Sequence, residues 1–177
     1  MSTTPPASPP RGGLTSDLLD KTRRLGLQLP LDLERLALLR GCDYYARDLG
    51  PQVSPQAEVP LSTAELAVAL IAPSLAPGAR EIRLAAALLG GPDVTPEEVA
   101  ALAVQEHGAD IVSYIAQCGR RFEPENPFWS SLLSRLPDRP IDPARLPHPT
   151  RFVEMTGIDR GRVGLQTRWI RPRRAAA

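Results

Sequence analysis

The sequence has few of the residues from which catalytic and metal sites are usually built. It contains two histidines, His107 and His148, and two cysteines, Cys42 and Cys118, in 177 residues. Two cysteines do not make a disulfide framework, and no CxxC or HxxxH spacing is present. The GxSxG, HExxH, GxGxxG and P-loop motifs are also absent. We therefore expect no cofactor and no metal, and we interpret the chain as a non-enzymatic protein.

Aromatic residues and long apolar runs are also scarce. Aromatics make up 5% of the chain, whereas hydrophobic residues make up 42%, so the core must consist mostly of Leu, Ala, Val and Ile. Such a core favours helices over sheets, and 20 prolines with 13 glycines predict that the helices are short. The apolar run AELAVALIAPSLA is cut by Pro73 and is too short to span a bilayer. We expect a mainly α fold and no membrane partner.

The ends of the chain differ in composition from its middle. Residues 1–13, MSTTPPASPPRGG, lack both hydrophobic periodicity and the apolar region of a signal peptide. We expect a disordered Pro-rich tail at 1–13, a helical domain at 14–149, and a basic segment at 150–177 that packs on that domain and has a frayed end. The lack of a targeting signal predicts a soluble, cytoplasmic protein.

Capping and breaking residues divide the helical domain into a compact irregular bundle of about six short helices. Helices are expected from Ser16, from Asp32 to about Leu49 with Gly41 inside, and over about Ala79–Leu89. A further helix is expected to end at Gly119.

A repeated start signal predicts two consecutive helical hairpins over residues 61–119. Ser62 with Glu65 forms one capping box, and Thr95 with Glu98 forms another 33 residues later. That offset is the length of an ankyrin or TPR unit. A true repeat and a coincidence of capping chemistry remain alternatives, and neither family is assigned.

The stretch CGRRFEPENPFW, residues 118–129, gathers aromatic and charged side chains around a connector. Gly119 predicts the end of one helix, and Asn126 predicts the start of the next. The connector is interpreted either as a strap packed on the core or as a partner-binding loop. The residues that such a loop would use are Arg120, Arg121, Phe122 and Trp129.

The C-terminal segment is basic. From Arg151 onward the segment contains seven arginines and two acidic residues, Glu154 and Asp159, which gives it a net charge of +5. Such a segment is typical of nucleic-acid binding, for which the candidate residues are Arg160, Arg162, Arg168, Arg171, Arg173 and Arg174. Lys21 is the single lysine, however, so a GC-rich coding bias also explains the arginines.

The same segment has two structural interpretations. In the first, Arg151–Met155 pairs with Val163–Ile170 as a β-hairpin. In the second, a helix-turn-helix-like unit turns at Gly157, although glycines at 161 and 164 disfavour its second helix.

Three functional hypotheses follow from these patterns. The first is a helical domain that acts as a protein–protein interaction module or regulatory adaptor with an unknown protein partner. The second is nucleic-acid binding through the arginine-rich segment, and the third is an enzyme with an unrecognised site. The sequence predicts no oligomeric state, substrate or pathway.

Overall fold

Seven α-helices and one antiparallel β-hairpin make up the described part of the chain in a computed structural model. The structure describes residues 16–44, 59–140, 142–159 and 162–173, with the backbone alone at 156–159 and 162–165. The expected tail at 1–13 and the frayed end at 174–177 lie outside these residues. The elements are α1 Asp17–Arg24, α2 Leu31–Leu39, α3 Thr63–Leu70, α4 Ala79–Leu89, α5 Pro96–Gln105, α6 Ala109–Phe122, α7 Pro127–Arg135, β1 Val153–Asp159 and β2 Arg162–Trp169. The predicted mainly α fold is confirmed.

The α3 helix lies at the centre of the bundle. It contacts α1, α2, α4 and α5, and each residue from Leu66 to Leu70 is fully buried. Its start is the predicted capping box, because the Glu65 amide donates to Ser62 Oγ at 3.0 Å and the Ser62 amide donates to Glu65 Oε2 at 2.8 Å. A helix that is apolar on all sides must be surrounded by other elements, and α3 is.

The two helical hairpins are α3 with α4 and α5 with α6. The α4 helix has the predicted bounds, Ala79–Leu89, and its residues from Leu84 to Leu89 are buried. The α5 helix begins after Thr95, whose side chain accepts from the Glu98 amide, with Pro96 at the first helical position. Local capping chemistry therefore determines where these helices start.

The α2 helix is shorter than predicted. It ends at Leu39, and Gly41 is the left-handed residue that terminates it, with φ of +95°. The Gly41 amide donates to Leu38 O and the Cys42 amide to Ala37 O, which is the Schellman arrangement. The prediction of a helix to Leu49 was wrong within the described residues, and residues 45–49 lie outside them.

The C-terminal segment forms a β-hairpin, so the helix-turn-helix interpretation was wrong. β1 pairs with β2 in antiparallel register, with Val153 opposite Trp169 and Asp159 opposite Arg162. A 3-10 turn at Pro149–Phe152 precedes β1, and Phe152, Val153 and Trp169 are buried against the helices. These apolar side chains attach the hairpin to the bundle.

Candidate functional site

An aromatic cluster joins the C-terminal hairpin to the helices. Trp129 of α7 packs against Trp169 of β2 with ring centroids 4.8 Å apart, and Trp169 stacks on Phe152 at 5.5 Å. All three side chains are at most 1% exposed. The Trp169 indole N–H donates to Ala86 O of α4 at 3.0 Å, so this large ring is both packed and hydrogen-bonded.

Two helix-associated glycines provide the space for these indoles. A Cβ atom at Gly119 would lie 2.2 Å from Trp129 Cδ2, and one at Gly90 would lie 2.7 Å from Trp169 Cδ1. Gly119 lies inside α6, because this helix continues to Phe122, and the predicted helix end at Gly119 was therefore wrong. The glycine is explained by the close approach of an aromatic ring rather than by a cap.

Glu123, directly after α6, connects three parts of the chain. Its Oε2 accepts from Trp129 Nε1 at 3.0 Å, from Asn126 Nδ2 at 3.2 Å and from Arg171 Nη2 at 2.5 Å. Burial alone would raise the pKa of Glu123, but the hydrogen bonds from Arg171, Trp129 and Asn126 outweigh it, and the pKa lies below its ordinary value. Glu123 thus links the end of α6 to α7 and to the residues that follow β2.

Residues 171–173, which follow β2, lie along the surface of the bundle, and we call them the tail. Arg171 Nε donates to Gly90 O at 2.9 Å, and the Arg173 amide donates to Gly41 O at 2.8 Å. A Cβ atom at Gly41 would lie 2.1 Å from Arg173 O. Gly41 thus serves two purposes, since it terminates α2 and lets the tail backbone approach closely.

The tail separates two clefts. The first has a volume of about 750 Å³, with Leu89, Val94, Phe128 and Arg168 among its lining residues. The second has a volume of about 590 Å³, with Leu39, Leu88 and Thr63 among its lining residues. Gly91, Pro92, Pro172 and Arg173 line both clefts. The two clefts are therefore neighbouring parts of one depression along which the tail lies.

We call this depression the tail groove. It is defined by the residues of the helical part that the tail touches or that line both clefts: Gly41, Asp43, Gly90, Gly91, Pro92 and Glu123. Further charged groups at its edges are Arg40 and Asp93 in the second cleft, and Glu154 and Arg168 in the first. The groove thus combines backbone acceptors, apolar patches and more carboxylates than guanidinium groups once the tail itself is set aside.

The structure places the four predicted partner-binding residues in different environments. Arg120 and Arg121 are exposed in the last turn of α6, where positive charge suits the helix dipole. Phe122 is half-buried, with the Arg121 guanidinium 5.8 Å from its ring centroid. Trp129 is fully buried and forms part of the aromatic cluster. A partner-binding role for these residues stays a prediction.

The predicted nucleic-acid-binding arginines also differ from one another. Arg171 is held by Glu123 and Gly90, whereas Arg168 is exposed on β2. Arg173 has a side chain that is 71% exposed and lies 3.3 Å from the Asp43 carboxylate. The backbone of Arg162 is in β2, but its side chain is not described, and Arg160 and Arg174 lie outside the described residues. Nucleic-acid binding also stays a prediction.

The histidines and cysteines are far from forming one centre. Cys42 and Cys118 are both buried free thiols, and burial raises the pKa of Cys42 to about 12. His107 is an exposed residue with φ of +61° that follows Glu106, the C-cap of α5, and His148 precedes the 3-10 turn before β1. Among the described residues, no group of three or more His, Cys, Asp or Glu side chains is placed to hold a metal ion.

Sequence reasoning missed the groove because its parts are distant in the chain. Arg171 reaches Glu123 across 48 residues and Gly90 across 81 residues. The interpretable signal was Gly41, a glycine placed inside an expected helix.

No helix in the described ranges is long and apolar enough to cross a membrane. No family model, curated protein or solved structure matches this chain.

Proposed function

We propose that the protein is a protein-interaction module and that the tail groove binds an extended segment of a partner protein. The observation that carries this proposal is the close contact between the tail and Gly41, where the Arg173 amide donates to the Gly41 carbonyl oxygen at 2.8 Å. A surface that accepts hydrogen bonds from an extended chain is a recurring mode of peptide recognition. The groove already holds one segment without secondary structure, the chain's own tail.

The lining of the groove supports the same proposal. Apolar residues such as Leu39, Leu88 and Phe128 offer contact area, while Asp43, Asp93 and Glu154 supply charge at the edges. Leu39 and Tyr44 are large side chains that remain 46% and 48% exposed beside these clefts. Apolar contacts surrounded by polar groups are the usual composition of a protein interface.

Site-specific photocrosslinking tests this function in the protein's native cells. A photoreactive amino acid replaces Leu39 at the groove, and the matched control replaces Val104, which is 50% exposed on α5. A protein crosslinked at position 39 but not at position 104 is the expected result. Identical crosslinking patterns at the two positions, or no crosslinked protein at position 39, would contradict the proposal.

Nucleic-acid binding is a second candidate because Arg168 and Arg173 keep exposed guanidinium groups near one another in the chain. Its support is reduced by Arg171, which is engaged by Glu123. Arg168→Gln together with Arg173→Gln should weaken binding to duplex DNA at low salt if this candidate is right. Equal or absent binding of wild type and variant would contradict it.

A further inference from the structure

The tail has the geometry of a ligand in the groove. Its two arginines lie on either side of Pro172, and each makes a polar contact with a different part of the bundle: Arg171 with Glu123 and Gly90, and Arg173 with Gly41. Pro172 lies beside Gly91, because a Cβ atom at Gly91 would come within 3.8 Å of Pro172 Cγ. The missing side chain of Gly41 therefore makes room for the tail backbone at Arg173, and Pro172 lies within ordinary contact distance of Gly91.

The charge of the groove complements such a segment. Without the tail, the charged groups that remain along the described groove are the acids Glu123, Asp43, Asp93 and Glu154 and the bases Arg40 and Arg168. The Arg40 guanidinium is already engaged, since it donates to Leu61 O. The surplus of negative charge favours a basic occupant, and Arg171 pairs with the Glu123 carboxylate, whose side chain is only 17% exposed.

The tail is attached differently from the hairpin that precedes it. Trp169 and Ile170 are 1% and 5% exposed and belong to the core, so they anchor the hairpin. From Arg171 onward the described contacts are hydrogen bonds, ion pairs and the packing of Pro172. The Arg173–Asp43 pair is largely exposed and contributes little to holding the tail. The contacts that hold the tail thus differ in kind from the core packing that holds Trp169 and Ile170.

We propose that the tail is an internal occupant of the groove, and that the protein partner presents an extended Arg-Pro-Arg segment that takes its place. This inference rests on the proposed function, and it adds the chemistry of the partner segment and a self-blocking role for the tail. A tethered occupant competes at an effective concentration in the millimolar range. The apparent affinity for an external segment is the intrinsic affinity multiplied by the fraction of molecules whose groove is free.

A labelled peptide tests the inference directly. The probe is a fluorescein-labelled heptapeptide with the sequence of residues 171–177, RPRRAAA, and its binding to the full chain is followed by fluorescence anisotropy. The wild type is compared with a variant carrying Arg171→Ala and Arg173→Ala, in which the tail is weakened. The variant should bind the peptide at least about tenfold more tightly, because its groove is free more often.

Matched controls separate groove binding from general charge attraction. A peptide with glutamine in place of the arginines equivalent to Arg171 and Arg173 should bind the variant at least about tenfold more weakly. Adding Glu123→Gln to the variant should remove most of the gain. If thermal melting shows that the double variant is unfolded, the Arg171→Gln variant decides, because it removes the ion pair with Glu123 but keeps a long polar side chain, and it should show a smaller gain in the same direction.

The two proposals fail separately. Equal peptide affinity for wild type and variant, or equal affinity for the arginine and glutamine peptides, would overturn the Arg-Pro-Arg occupant. Specific crosslinking at position 39 would then still support a partner-binding groove. Tight peptide binding without crosslinking at position 39 would support the occupant and contradict the proposed function in cells.

Discussion

Trp129 and Trp169 are 40 residues apart in the sequence, and their ring centroids lie 4.8 Å apart in the fold. Each indole lies where a glycine leaves space, Gly119 for Trp129 and Gly90 for Trp169. This pair attaches the C-terminal hairpin to the helices. It also fixes the point from which the tail enters its groove.

Gly119→Ala should destabilise the protein, because the added Cβ would lie 2.2 Å from a Trp129 ring atom. Overpacking of this kind costs about 1–3 kcal/mol, and the better helix propensity of alanine offsets up to about 1 kcal/mol of it. Chemical denaturation measures the change in the free energy of unfolding. Gly108→Ala is the matched control, since its Cβ would meet atoms at 3.8 Å or beyond, and its effect should be smaller. Equal stability of the Gly119→Ala variant and wild type would contradict the close contact.

Glu123→Gln should change how stability depends on acid pH. The pKa of Glu123 is lower in the folded protein than its ordinary value, because the hydrogen bonds from Arg171, Trp129 and Asn126 outweigh the effect of burial. Its contribution to stability is therefore present above the ordinary pKa of about 4.3 and is lost as the pH falls through the folded value. Denaturation at a series of pH values should show a shallower acid decline for the variant. A decline of the same steepness would mean that Glu123 is not held as a charged group.

Glu34→Gln should act in the opposite direction. Burial raises the pKa of Glu34 more than the nearby Arg80 lowers it, and Glu81 raises it further. The ionised form of Glu34 therefore reduces stability above its folded pKa, and its protonated form removes that penalty at lower pH. The stability of the variant relative to wild type should rise as the pH increases through the Glu34 titration. A pH-independent difference would show that the pKa of Glu34 is not raised.

His107→Gly should stabilise the protein. His107 has φ of +61° after α5, and a left-handed conformation costs a non-glycine residue about 1–2 kcal/mol. The greater freedom of glycine in the unfolded chain offsets part of this, which leaves a gain of about 0.5–1 kcal/mol in the free energy of unfolding. Ala101→Gly, at an exposed position in the middle of α5, is the control and should lower stability by about 1 kcal/mol. A loss of stability for His107→Gly would contradict the strain.

Local chemistry explains what the sequence predicted well. The Ser62–Glu65 capping box and the bounds of α4 depend on residues within one or two helical turns, so the pattern is visible in the sequence. The β-hairpin was one of two interpretations of the C-terminal segment, and the local pattern did not exclude the helix-turn-helix alternative. Helix starts were predicted better than helix ends.

Long-range packing explains what the sequence did not predict. Glycine is required at positions 41 and 119 for different reasons. Gly41 has a left-handed conformation at the end of α2 and lies under the tail, whereas Gly119 contacts the Trp129 ring inside α6. The neighbouring residues in the sequence do not show which reason applies to which glycine. Arg171 was grouped with nucleic-acid-binding arginines because its partner, Glu123, is 48 residues away. Only the folded arrangement brings Gly41, Gly90 and Glu123 together along one tail.

Amide hydrogen exchange in the presence of the RPRRAAA peptide tests the occupied groove most directly. The Arg173 amide donates to Gly41 O, and the Trp169 indole N–H donates to Ala86 O in the core. If the peptide replaces the tail, saturating peptide should speed exchange of the Arg173 amide severalfold and leave the Trp169 indole protected. Unchanged exchange at both sites, or equal acceleration at both, would contradict a tail that leaves the groove while the aromatic cluster stays in place.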